Sequence, residues 1–153
     1  MADDEKIHWW SWLILALHLL WSFTIIWLTK AEVFGAKVRW GAAIALGLGA
    51  AGLGAYDHFI NKDTDNRDKG KFDPWTVVHT LAGVVFGLWY VPFIYVLITV
   101  FWWELFEFTV KGFGDKEVII NRGVDMGVAI VGWLIVVGIF GGAGVPLVTP
   151  VAS

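Results

Sequence analysis

Ile7–Thr29 reads IHWWSWLILALHLLWSFTIIWLT, and the reading of this run decides the fold. A transmembrane helix needs about 20 predominantly apolar residues, and this stretch supplies them. A secretory leader would start with a basic region and end at a small-residue cleavage site. Here the preceding MADDEK is mostly acidic, and no such site follows. The run is therefore expected to stay in the mature protein as a membrane helix.

Composition extends the reading to the whole chain. Hydrophobic residues make up 58% of the 153 positions and charged residues 16%. Soluble domains average about 45–50% apolar and about 25% charged. The mean hydropathy is +0.67. There are eleven tryptophans, a residue that gathers at the membrane–water boundary with its ring in the apolar layer and its N–H wet. The fold class is thus all-α: a polytopic transmembrane bundle forming one domain over 1–153. The lipid bilayer is its first partner. A net charge of −3 without a basic stripe excludes nucleic acid as a partner. The absence of cysteine removes disulfides, thiolate metal sites and cysteine nucleophiles.

Apolar length predicts five spans, at about 7–29, 40–60, 75–90, 92–110 and 119–140. The second is rich in glycine (Gly41, Gly47, Gly49, Gly52, Gly54), a composition expected to let neighbouring helices approach closely. NKDTDNRDKGKFDP (61–74) is the one long hydrophilic connection. Pro92 suits the first turn of the fourth span and makes spans three and four an antiparallel hairpin. Spans three and five are short, leaving a tilted or re-entrant path open.

Lys and Arg set the orientation. Lys6, Lys62, Arg67, Lys69, Lys71, Lys111, Lys116 and Arg122 fall on one side; Lys30, Lys37 and Arg39 fall on the other. The expectation is a bacterial or archaeal cytoplasmic membrane, with the N-terminus in and the C-terminus out.

Charges inside spans are costly and mark function by default. WWELFEF (102–108) places Glu104 and Glu107 among five large apolar side chains, three residues apart and so on one helix face. His79 and Asp125 lie a few residues inside the ends of spans three and five that face the same leaflet. These four form the candidate site, as catalytic groups or metal ligands. Asn121 shares a face with Asp125, and Asp57 and His58 close span two on the same side as supporting residues. His79, Gly83 and Gly87 form a stripe that would admit a neighbouring backbone.

Carboxylates held together in low dielectric cannot all stay ionised. They can share protons as an acid/base pair or relay, bind a divalent cation together with the imidazole, or receive a cationic or hydroxyl-bearing group of a membrane-borne molecule. The blander readings are a boundary Glu107 paired with Lys111, an Asp125 that caps a loop, and a His79 that only packs. Haem is disfavoured, because His18 stands midway along span one without a second histidine at its depth. The loop DTDNRDKG lacks the oxygen ligands of a calcium loop.

His79-Thr-Leu-Ala-Gly83, Trp103-Glu104-Leu-Phe-Glu107, Gly114-Asp115 and Asn121-Arg-Gly-Val-Asp125, with Gly132 beyond, resemble the VanZ-like group and related small bacterial membrane proteins. The similarity covers roughly residues 73–135. It implies a shared polar centre of Asp73, His79, Glu104, Glu107, Asn121 and Asp125, without supplying a reaction. Members of the group commonly carry Gln where Glu107 stands.

Three functions are compatible with this pattern. The first is a membrane-embedded site acting on a lipid-linked substrate from the cytoplasmic leaflet. The second is an accessory subunit of a larger membrane protein complex, in which the polar residues are interhelical glue. The third is a proton-coupled carrier, although no internal repeat is visible.

Overall fold

The computed structural model describes residues 9–29, 35–59, 74–109 and 119–140. Five helices and no strand occur among them: α1 (Trp9–Leu28), α2 (Ala36–Phe59), α3 (Pro74–Leu88), α4 (Phe93–Thr109) and α5 (Ile119–Phe140). The all-α expectation therefore holds. Three of the helices, α1, α2 and α5, are long and apolar enough to cross a membrane. The chain is an integral membrane protein. The short members are α3 and α4, with 15 and 17 residues. They rise about 22 and 26 Å at 1.5 Å per residue, against a hydrocarbon core of about 30 Å. The expectation of a short fifth span is corrected, since α5 has 22 residues.

The outer surface is what a bilayer requires. Leu20, Phe23, Leu48, Phe101 and Ile139 are exposed; lipid, unlike water, tolerates such a surface. Trp9 and Trp27, at the two ends of α1, are also exposed. They are separated by about 27 Å of helix rise, close to the thickness between the two aromatic belts.

The helices associate in the spatial order α1–α4–α5–α3–α2, with α3 and α5 the most intimate pair. Glycine makes that intimacy possible. A Cβ on Gly83 would overlap the Ala129 carbonyl, one on Gly87 would press on Val136, and one on Gly132 would overlap the Thr80 carbonyl. The expected stripe beside His79 thus does admit a backbone, that of α5. The glycines of α2 do not behave as expected. Among the described residues, nothing lies within 4 Å of a Cβ built on Gly41, Gly47, Gly49 or Gly52, and Gly54 meets only the Trp75 ring at 3.9 Å. Small residues permit close packing but do not compel it.

Backbone hydrogen bonds fix the α3–α4 turn. Tyr90 N–H donates to Gly87 O at 2.9 Å and Val91 N–H to Phe86 O at 3.0 Å. This is the Schellman pattern, with Tyr90 in the left-handed region at φ 52°. Pro92 then caps α4, its carbonyl accepting from Tyr95 N–H and Val96 N–H. Proline has no N–H to leave unsatisfied at a helix start, and its φ suits that position. The Trp133 indole N–H donates to the buried Val91 carbonyl at 2.8 Å and ties the turn to α5.

Polar contacts hold α1 on α4. Ser11, His18 and Ile25 are the buried residues of α1, at seven-residue spacing on one face. Ser11 Oγ donates to Thr109 O at 3.0 Å, and His18 Nε2 lies 3.2 Å from Thr99 O. Trp21 Nε1–H donates to Thr99 Oγ1 at 2.9 Å. Thr99 in turn donates to Tyr95 O, four residues back in its own helix, a usual way to satisfy a hydroxyl where water is absent.

Candidate functional site

His79 comes from α3, Glu104 and Glu107 from α4, and Asp125 and Asn121 from α5, and all five are buried. The α3–α5 packing sets the pairing of His79 with Asp125. Both helices run in the same direction, and Gly83 meets Ala129 one turn beyond His79 and Asp125 respectively. The same register brings His79 Nε2 to 3.9 Å from Asp125 Oδ2. That is an ion-pair separation, longer than a hydrogen bond. Asn121 Nδ2 donates to the same Asp125 oxygen at 3.1 Å and holds the carboxylate in place. The four-residue spacing of Asn121 and Asp125 puts both on one face of α5.

The two glutamates reach the histidine from α4. One ligand-capable atom each from His79, Glu104 and Glu107 lies within 4.8 Å of the others. Their three-residue spacing turns both glutamates inward, at 6% and 4% exposure. A carboxylate snorkelling to the boundary would be more exposed than Glu107 is, and Lys111 lies outside the described residues. One imidazole beside three carboxylates carries an excess of negative charge if the acids are ionised. A medium of low dielectric requires that excess to be balanced by a cation or by shared protons. Imidazole nitrogen with two carboxylate oxygens is a ligand set suited to a divalent transition metal. Asp125, fixed by Asn121 and facing His79, stands where an outer carboxylate steadies a liganding imidazole.

Of the supporting residues named from sequence, Asn121 joins the centre through Asp125. Asp57 and His58 fall within the last turn of α2, outside the residues whose side chains are described, and Asp73 lies outside the described residues.

Sequence reasoning missed two residues beside the centre. The Trp103 ring is edge-on to both histidines, with centroids 5.5 Å from His18 and 6.5 Å from His79. His18 is therefore one indole away from the centre rather than isolated in mid-membrane. Its Nδ1 and the buried Trp103 Nε1–H make no hydrogen bond among the described residues. The available signal was Trp103 itself, on the helix that carries Glu104 and Glu107.

Two cavities differ in chemistry. One of about 360 Å³ opens between α4 and α5 and includes Glu104 and Arg122 in its lining. Another of about 470 Å³ lies where the C-terminal ends of α1 and α3 meet the start of α2, with Trp27, Arg39, Trp40 and Trp89 in its lining and neither acid nor imidazole.

Compared with family models, curated proteins and solved structures, the chain finds no match.

Proposed function

We propose that this integral membrane protein carries a divalent-cation centre formed by His79, Glu104 and Glu107, supported by Asp125 and Asn121, and that the centre acts on a lipid-linked substrate. The observation that carries the reading is the convergence of three buried ligand atoms from two helices within 4.8 Å. Held by His79, Glu104 and Glu107, a cation would balance charge that the bilayer interior does not tolerate and would supply Lewis-acid chemistry toward an ester or phosphoryl oxygen. The Lys and Arg distribution favours the cytoplasmic leaflet for this end of the bundle. The resemblance of these motifs to the VanZ-like group would imply a common polar centre and leaves the reaction open.

Cobalt(II) titration of the purified protein tests the reading. One equivalent should bind with visible absorption characteristic of mixed nitrogen and oxygen ligation, and Glu107→Gln and His79→Ala should each abolish it while helical content is kept. Absorption that survives both substitutions contradicts the reading.

One observation favours a second reading, an accessory subunit of a larger complex. Gly41, Ala45, Gly49 and Gly52 lie along one face of α2, and all four are exposed. A second helix could pack closely there. Purification in mild detergent separates the readings, since a stoichiometric partner favours the subunit and a stable lone chain favours the centre.

A further inference from the structure

The groove between α4 and α5 combines three features. Its walls are apolar: Phe101, Leu105 and Phe108 from α4, and Met126 from α5. Phe101 and Phe108 are 65% and 64% exposed, so the groove opens toward lipid rather than into the bundle. Its lining also holds one cationic and one acidic side chain, Arg122 and Glu104. The Arg122 guanidinium carbon lies 5.1 Å from the Phe108 ring centroid, so the cation reaches from α5 across to α4.

The electrostatics at the Arg122 end favour an anion. The first turn of α5 contains no acidic residue and includes Arg122. The N-terminus of a helix carries partial positive charge, and Arg122 adds a full charge to it. A guanidinium also matches phosphate oxygens in a planar, two-point geometry. Glu104 lies one turn before Phe108 on α4, about 6 Å from it by helix rise and deeper in the bundle. A phospholipid has the same order of parts: phosphate at the boundary, ester linkages about a turn deeper, acyl chains beyond.

We infer that the α4–α5 groove binds one anionic phospholipid, with its phosphate at Arg122, its linkage region toward Glu104, and an acyl chain along Phe101, Leu105 and Met126. This deepens the lipid-linked reading of the centre by naming the class of molecule and the side from which it arrives. The groove commits to lipid rather than free phosphate because its walls are apolar and open to the bilayer.

Gly123 provides a clean test. It lines the groove, and nothing lies within 4 Å of a Cβ built there. A larger side chain there would therefore start in open space among the described residues and extend into the groove. Gly138 is equally open but lies far along α5 and outside the groove lining, so it serves as the control.

Native mass spectrometry of the detergent-purified protein, with phosphatidylglycerol or phosphatidylcholine added, reads the occupancy directly. The wild type should retain one phosphatidylglycerol about tenfold better than phosphatidylcholine, the scale of one charge-assisted contact. Arg122→Gln should remove the preference, Gly123→Leu should lower retention of both lipids, and Gly138→Leu should behave as wild type. Equal retention of the two lipids by wild type, displacement of the lipid by inorganic phosphate, or unchanged binding in Gly123→Leu overturns the inference. Metal content of the same samples reports on the centre separately: metal retained without lipid selectivity defeats the groove alone, and lipid selectivity without metal defeats the centre alone.

Discussion

His79 Nε2 stands 3.9 Å from Asp125 Oδ2, one helical turn before the point where Gly83 lies against the backbone of Ala129. The polar pair and the glycine contact share one register. The spacing between α3 and α5 that absent side chains allow is also the spacing that lets an imidazole and a carboxylate face each other. Packing and chemistry are therefore coupled at this interface, and disturbing one should disturb the other.

Gly83→Ala should separate α3 from α5. The added methyl meets a backbone carbonyl, which cannot swing aside as a side chain can. Overpacking of this kind costs about 1–3 kcal/mol, and a backbone contact belongs at the upper end. Unfolding in a denaturing detergent should show that loss, together with weakened metal binding. Gly138→Ala, with open space around it, should stay within about 0.5 kcal/mol of wild type.

Trp133→Phe tests the tie between the hairpin and α5. It removes the donor to the Val91 carbonyl and leaves that buried acceptor unpaired. The expected loss is about 1–3 kcal/mol. A thermal midpoint equal to wild type would show that the turn is held by its own backbone bonds alone.

Thr99 joins α1 to α4 by accepting from Trp21 and bonding back to Tyr95. A double-mutant cycle of Thr99→Val with Trp21→Phe should give a coupling of about 1 kcal/mol. Additive effects would mean that the indole–hydroxyl bond contributes nothing to the association of the two helices.

Gly49→Ala on α2 should leave the stability of the isolated chain unchanged within about 0.5 kcal/mol, because a Cβ there meets nothing. If α2 docks on a partner helix, the same substitution should reduce co-purification. A large loss of stability in the lone chain would contradict the open face.

The order of five helices was legible because apolar length and interrupting polar loops are properties of the chain itself. Counting residues inward from the span ends also pointed to one end of the bundle for His79, Glu107 and Asp125, with Glu104 a turn deeper, and the structure brings His79 near both glutamates and Asp125. The role of the α2 glycines was not legible. Composition reports that a close approach is sterically allowed, and only the three-dimensional arrangement shows that α3 and α5 use theirs while α2 does not. The link of His18 to the centre was not legible for a related reason. Depth counted along one helix ignores the reach of a ring on another, and the Trp103 indole spans the gap between His18 and His79. Arg122 was first counted only as a charge that orients the chain. Its place in the α4–α5 groove depends on how α5 packs beside α4.

The central claim is that His79, Glu104 and Glu107 hold a divalent cation inside the membrane. Its most direct test is the metal-to-protein ratio of wild type and Glu104→Gln, purified side by side without chelator and measured by elemental analysis. Wild type should hold about one equivalent of a divalent metal and Glu104→Gln little, with both proteins folded. Equal metal content in the two proteins, or none in either, would contradict it.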